Sequence, residues 1–530
     1  MPAIAFYIIR TIFLAVAVTQ LLATIHIYST NLALFARINE LAAWYLTVPN
    51  QPTALALQQP ASAFFAATFF SVTIGPCMAL LFLMAMLADN LFIRYRRYVL
   101  SISALVWLVI TLHAGSFTVA VYLWVVPASL LIHHHYWSPL RKGMSASHAG
   151  LTAALIASAF FPLLISSTLD KNTFMQGRDA MLFETALGRA INDFYYRYTL
   201  FAAEAIKPIH QHNMKTVLID GTGDVELRES IARSLLQAGY LPLSSHVEAD
   251  IVIRSDHDVL TLQMVSNAGE QSVSSAEFQS DPRRVLAEFS AKFDSRQALR
   301  SLLRYSIIFA VPIAASLLLS ALCVLLAGSL FRFIGRRLPW CREYFHAPYT
   351  RVSYSHAPWL AGLLMYVLIL LSTTAAIKQP TILITTSNLA ARLASDDWQE
   401  RVAALQYAYQ NQIDIKLYQS DPNGVSRILY IINSIHIAER YWYGMALSFS
   451  SADSAADNLQ QLLHDGQINV VCAALNAIGR RGENNFIAPV KNLLLNSEHW
   501  YVQWYAYTAL QQMGWLNNRA KDSALEPARF

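Results

Sequence analysis

The chain has 530 residues, of which 55% are hydrophobic and only 14% are charged, and its formal net charge is +5. Soluble domains carry about 25% charged residues, so this composition argues against a single water-soluble globule, and 26 Phe, 25 Tyr and 11 Trp exclude a disordered chain. The basic residues form short clusters beside apolar runs, which argues against a nucleic-acid partner. No pair of cysteines has CxxC spacing, so a zinc ribbon or haem c attachment is not indicated.

Seven apolar segments approach the length of about 20 residues that a membrane-spanning helix needs. We therefore predict a polytopic α-helical membrane protein with about seven spans, at Thr11–Tyr28, Ala63–Ala88, Val99–Leu112, Phe117–Ile132, Ala149–Leu169, Ser306–Phe331 and Trp359–Ile377. The first span is interpreted as a retained anchor, because no small-x-small cleavage site follows it.

Arginine and lysine are concentrated in every second loop. They follow the second span (Arg94, Arg96, Arg97), the fourth (Arg141, Lys142) and the sixth (Arg332, Arg336, Arg337, Arg342, Arg351). By the positive-inside rule, the amino terminus faces the cytoplasm. This predicts a multi-pass inner-membrane protein with membrane segments at 1–169 and 304–378, and with two periplasmic segments, an insert at 170–303 and a tail at 379–530.

The insert is predicted to begin with a long helix, Gly177–Ile206, whose aromatic face lies on the bilayer surface or on the spans. A small α+β unit follows, with a strand at Thr216–Ile219, a helix at Glu226–Gln237 and further strands at Ile251–Ile253, Val259–Met264 and Val273–Phe278. Gly221–Gly223 is interpreted as a tight turn, because Glu226 occupies the third glycine position of a dinucleotide-binding loop. The pattern resembles small envelope domains of the curli-secretion or TolB amino-terminal type, which implies protein contact rather than an active site.

The tail is self-similar. Ala-Leu pairs recur at Ala404, Ala446, Ala474 and Ala509, and Val471, Ala474, Leu475, Ile478 and Gly479 match Ala506, Ala509, Leu510, Met513 and Gly514 at a spacing of 35 residues. Paired helices at a fixed period indicate an all-α solenoid. The segments around 469–479 and 501–514 resemble bacterial HEAT-like repeats, which implies protein binding along stacked helices and no catalytic residues.

Two pairs of residues are candidate sites. Tyr and Trp are enriched at protein interfaces, so Trp500 and Tyr501 are predicted to contact a partner protein. His26 and His113 close two spans near the same membrane face and could ligate a haem b, although capping of each span in the headgroup region is the simpler interpretation. A second histidine group at the opposite face, which includes His133, His134 and His135, is interpreted as interfacial rather than as a metal site.

No sequence motif commits the chain to a reaction, and we predict no catalytic residue, metal or cofactor. The sequence favours a noncatalytic scaffold, assembly or regulatory protein that binds envelope or membrane proteins through its insert and its repeats. The alternative is a membrane transporter or a lipid-linked envelope enzyme.

Overall fold

The structure is a computed structural model. It describes residues 2–515 except 43–45, 92–95, 115, 138–178, 180–181, 221–224, 244–248, 257, 267–268, 295, 338–356, 378–383, 419–430 and 453. The predicted fifth span, Ala149–Leu169, and the Gly221–Gly223 turn lie outside the described residues.

The first part of the chain consists of apolar helices. They are α1 (Pro2–Leu41), the short α2 (Gln51–Ala54), α3 (Pro60–Leu91), α4 (Arg96–Ala114) and α5 (Phe117–Trp137). Helices α1 and α3 approach each other closely at Gly75, where an added Cβ would lie 2.9 Å from the Cα of Val16. A glycine without a side chain is what permits this backbone approach.

A second helical segment carries the insert's sheet. Helix α6 (Ala186–Ile206) starts at Thr185, whose side chain accepts a hydrogen bond from the Gly188 amide at 2.9 Å. Residues 182–184 are also helical, so the long helix predicted from Gly177, which itself lies outside the described residues, is interrupted at Thr185. The sheet contains β1 (Thr216–Asp220), β2 (Leu241–Leu243), β3 (Ile251–Asp256), β4 (Val259–Met264) and β5 (Glu270–Ser274), with helix α7 (Val225–Gln237) between β1 and β2.

The sheet has strand order β2-β1-β3-β4-β5, with β1 parallel to both of its neighbours and the remaining pairs antiparallel. Helices α8 (Ser275–Ser280) and α9 (Pro282–Phe293) follow β5, and Phe278 and Phe289 join the buried core of the sheet. The strand predicted at Val273–Phe278 is therefore wrong after Ser274, which caps α8 by accepting a hydrogen bond from the Glu277 amide at 3.1 Å.

Apolar helices return after the insert. Helix α10 (Arg296–Tyr305) continues through a π-helical turn, Ser306–Ala310, into α11 (Val311–Arg337), and α12 (Ala357–Ile377) packs against α11. An added Cβ at Gly362 would lie 2.6 Å from the Cα of Val324, so this pair of helices also depends on a glycine for its approach.

In the part of the chain that the structure describes, four helices are long and apolar enough to cross a membrane: Ile4–Leu41, Pro60–Met86, Phe117–Trp137 and Arg296–Phe331. The prediction of about seven spans is thus too high for the described residues. The predicted third and seventh spans correspond to shorter apolar stretches, Ser101–Ala114 and Leu360–Ile369. The four long helices indicate membrane association.

The tail contains α13 (Leu389–Leu393), α14 (Trp398–Gln410), α15 (Ile437–Ala446), α16 (Ser454–Leu462), α17 (Ile468–Arg481), α18 (Ile487–Asn496) and α19 (Trp500–Gln512). Helices α14, α15, α17 and α19 form a row in which each packs against the next. We call these four the row helices.

The row helices share their starting geometry. Three residues before each helix, a side-chain oxygen accepts a hydrogen bond from the backbone amide two positions later, at 2.8–3.2 Å; the acceptors are Ser395, Ser434, Asp465 and Ser497. Such turns satisfy donors that a helix start leaves unpaired.

Three of the row helices also end alike. Gln412, Gly482 and Gly514 each stand fourteen positions after the first helical residue and have positive φ values of 55°, 68° and 76°. The last two row helices are thus related by 32 residues, from 468 to 500 and from 482 to 514. The predicted spacing of 35 residues, which paired Gly479 with Gly514, is out of register by about one helical turn.

The chain divides into two compact units. Unit 1 comprises Met1–Ile27, Phe64–Thr173 and Ser295–Gln379, and unit 2 comprises Tyr28–Ala63, Phe174–Asp294 and Pro380–Phe530. Unit 2 thus contains both the insert and the tail, together with the end of α1 and the loop that follows it.

Candidate interaction site

The insert binds the starting ends of the row helices within unit 2. The Asp179 carboxylate accepts a hydrogen bond from Trp442 Nε1 at 2.8 Å. One oxygen of Glu184 lies 3.0 Å from His436 Nδ1, and the ring of His436 stacks on Trp398 with centroids 4.5 Å apart. These contacts hold the residues that precede α6 against the starts of α14 and α15.

Helix α6 itself docks on α17 and α19 through amide and aromatic groups. Asn192 Nδ2 donates to Asn469 Oδ1 at 2.9 Å, and Asn469 Nδ2 donates to the hydroxyl of Tyr196 at 3.2 Å. Thr199 Oγ1 donates to the Tyr501 hydroxyl at 3.0 Å, and the rings of Tyr196 and Tyr501 meet edge to face at 4.5 Å. The two asparagines are buried, so their side-chain amides need the partners that this junction supplies.

Trp500 and Tyr501, the predicted partner-contact residues, lie at this junction. Trp500 is only 4% exposed, and Lys207 Nζ lies 5.8 Å from the centroid of its ring. Burial raises the pKa of Tyr501 far above its ordinary value. Both side chains thus contact other parts of the same chain, and their predicted role toward an external partner stays a prediction.

The loop after α1 also docks on the tail. The Asn50 amide donates to Gln503 Oε1 at 2.7 Å, Asn50 Nδ2 donates to the Leu495 carbonyl at 2.8 Å, and Gln503 Nε2 donates to Thr53 Oγ1 at 2.8 Å. Sequence reasoning missed this contact because the partners are more than 440 residues apart. The one local signal is the Asn50 cap ahead of Pro52.

The end of α1 is tied to the sheet. Arg37 Nη1 lies 3.2 Å from Asp250 Oδ1, and the other oxygen of Asp250 accepts the Thr216 amide at 2.9 Å. Asp250 thus joins α1 to the first strand. Together with the contacts of Asn50 and Asn192 described above, it links the three chain segments of unit 2 by polar contacts.

Within the row, charged side chains pair between helices. Arg440 Nε lies 2.7 Å from Asp465, and Arg401 pairs with Glu439, which is fully buried and also accepts a hydrogen bond from Ser434. Buried charges persist only when they are paired in this way. These groups therefore act as structural links between neighbouring row helices.

A further buried polar cluster joins α6 to β1. Glu204 lies 3.1 Å from His212 Nδ1 and accepts the Asn213 amide, while Lys215 Nζ donates to the His210 carbonyl at 2.6 Å. Burial lowers the pKa of Lys215 to about 8. Hydrogen bonds to backbone groups, including one from His212 Nε2 to the Lys207 carbonyl oxygen at 2.7 Å, complete the cluster, so it links α6 to β1 structurally.

The two predicted haem ligands have different surroundings in unit 1. The ring of His26 packs against Phe70 and Tyr122, with centroids 6.1 and 6.3 Å away, whereas His113 is exposed at the end of α4. Among the described residues, no group of three or more His, Cys, Asp or Glu side chains could hold a metal ion. The haem interpretation stays a prediction with no added support.

Exposed apolar side chains flank the docked helix. Ile435, next to His436, is 87% exposed, and Leu187, three residues after Glu184, is 73% exposed. Ile191 and Tyr195 continue the exposed stripe along α6. We name these four residues the junction patch. Exposed apolar groups of this kind mark protein or membrane contacts.

Comparison with known proteins adds no relative: no family model, no curated protein and no solved structure matches this chain.

Proposed function

We propose that this protein is an integral inner-membrane scaffold or assembly protein whose second unit binds an envelope partner protein. The observation that carries the proposal is the junction patch. Unit 2 uses many of its charged and polar side chains to hold itself together, yet it leaves apolar side chains exposed beside the contact between α6 and the row helices.

The repeated geometry of the tail supports the same function. All four row helices start with the same turn and three of them end at the same position, and repetition of this kind is typical of solenoids, which bind proteins along extended surfaces. We therefore propose a HEAT-like solenoid, with the insert docked on it in cis and the partner bound beside the insert.

The length of α1 supports membrane anchoring of unit 2. A helix of 40 residues is about 60 Å long, twice the hydrocarbon thickness of about 30 Å. The part of α1 that belongs to unit 2 is thus long enough to stand outside the bilayer. We propose that unit 2 faces the periplasm, as the distribution of arginine predicts.

Site-specific photo-crosslinking in cells tests the function. A photoreactive amino acid replaces Ile435 or Leu187 in the full chain, and the matched control carries it at Gln460, which is exposed on α16. We expect one discrete protein adduct from the patch positions and none from the control. Adducts to lipid alone, or equal adducts at all three positions, would contradict the scaffold proposal.

A further inference from the structure

A cation lies among aromatic rings at one end of unit 1. The guanidinium carbon of Arg10, in the third turn of α1, is 4.7 Å from the ring centroid of Trp137 and 5.6 Å from that of Phe6. Trp137 is 63% exposed and the neighbouring Tyr136 is 74% exposed. Tryptophan, tyrosine and arginine at the end of apolar helices are typical of the headgroup region of a bilayer.

A histidine pair stands beside this cation. The ring of His133 stacks on Tyr7 with centroids 5.6 Å apart, and the Tyr7 hydroxyl is 2.7 Å from His134 Nδ1. His133 is only 8% exposed, but its Nε2 has no hydrogen-bond partner among the described residues. Buried polar atoms are normally hydrogen-bonded, so one without a protein partner indicates a bound ligand or an ordered water.

Arg10 forms no ion pair with a carboxylate among the described residues, whose salt bridges join other side chains. The carboxyl end of α5, which carries Trp137, contributes only about half an elementary negative charge.

We propose that Arg10 and His133 bind the phosphate of an anionic phospholipid, with Trp137 and Phe6 beside its headgroup. Arginine binds phosphate oxygens through paired N–H donors, and His133 Nε2 supplies a further donor when it carries the proton. A lipid is the occupant because exposed apolar side chains, including Phe13 one helical turn further along α1, continue from the site. A free phosphate would leave them uncovered.

Lipid binding to the purified, delipidated full chain tests this inference. Native mass spectrometry compares phosphatidylglycerol with phosphatidylcholine of the same acyl chains, and inorganic phosphate serves as the competitor. We expect phosphatidylglycerol to bind at least about tenfold more tightly, and Arg10→Gln to remove that preference, which corresponds to about 1.4 kcal/mol. The matched control is Arg284→Gln, since Arg284 is exposed in the sheet domain and is paired with Glu277 at 3.2 Å.

Three results would overturn the site. They are equal binding of the two lipids, an unchanged preference in Arg10→Gln, and full competition by millimolar inorganic phosphate, which would indicate a free-anion site. If Arg10→Gln fails to fold, Trp137→Leu is measured instead; we expect it to weaken phosphatidylglycerol binding, and unchanged binding would equally overturn the inference.

Discussion

Glycine 479 lies at a close contact between α17 and α19. A Cβ added there would lie 2.9 Å from the Cα of Ala509, closer than real Cβ atoms approach backbone. Gly482, in contrast, has no atom within 4 Å of an added Cβ but has a φ of 68°, so its role is to end α17. The two glycines, three residues apart, thus serve packing and termination separately.

We predict that Gly479→Ala destabilises unit 2 by about 1–2 kcal/mol, because the overpacking cost of about 1–3 kcal/mol exceeds the gain in helix propensity. The matched control is Gly466→Ala, where nothing lies within 4 Å and no positive φ is required. That change should be neutral or slightly stabilising. Equal melting temperatures for the two variants in detergent would contradict the register described for the row helices.

The lowered pKa of Lys215 predicts that the free energy of unfolding depends on pH. Its folded-state pKa of about 8 lies below the ordinary value of 10.5 because of burial. Between these values the unfolded chain holds more protons, so stability rises with pH through this window, by at most about 1.4 kcal/mol per pH unit. Below pH 8 the lysine is charged in both states and the full cost of its burial applies.

We expect Lys215→Met to lose this rise. Melting temperatures of the wild type and the variant, measured from pH 7 to pH 10, check it, with Lys491→Met as an exposed control. Parallel curves for the wild type and Lys215→Met would show that the amine is solvated in the folded protein.

At the scale of elements, docking of α6 depends on groups that have no local sequence signal. Asn192 and Asn469 form a hydrogen bond across 277 residues, and no local spacing pattern pairs residues so far apart. We predict that Asn192→Ala destabilises the docked helix by about 1–3 kcal/mol, because the buried Asn469 Oδ1 loses the donor that Asn192 supplies.

Hydrogen exchange over residues 186–206 measures this effect. Exchange should accelerate in Asn192→Ala and stay unchanged in Asp193→Ala, which alters an exposed neighbour on the same helix. Similar protection in both variants would show that α6 is held by its aromatic contacts alone.

Local sequence patterns predicted many helices and strands but missed those whose formation depends on tertiary contacts. Helical periodicity predicted α7 to within one residue, and strands β1, β3 and β4 followed their apolar runs. Strand β2 was missed because three residues with a central Pro242 carry no alternation, and α8 was read as a strand although Ser274 and Glu277 form a helix-start signal.

The candidate site was harder to predict than the fold. The enrichment of aromatic residues at Trp500 and Tyr501 pointed to a contact region, and both residues do lie at a junction. The sequence could not show that the insert of the same chain occupies it, because that depends on packing between segments about 300 residues apart.

At the scale of the whole molecule, three separated segments share one unit. The predicted first span ends at Tyr28, but α1 continues without a break to Leu41, and its last turns carry the Arg37–Asp250 pair. The apolar composition of α1 extends beyond the segment predicted to cross the bilayer, because buried positions in unit 2 also favour apolar side chains.

The central claim is that the insert and the tail form one body on one side of the membrane. Single cysteines at Ser272 and Gln460, both exposed, are introduced into a chain whose natural cysteines are replaced, and intact cells are treated with a membrane-impermeant thiol reagent. We expect both positions to have the same accessibility, before and after permeabilisation. Labelling of one position in intact cells and of the other only after permeabilisation would contradict it.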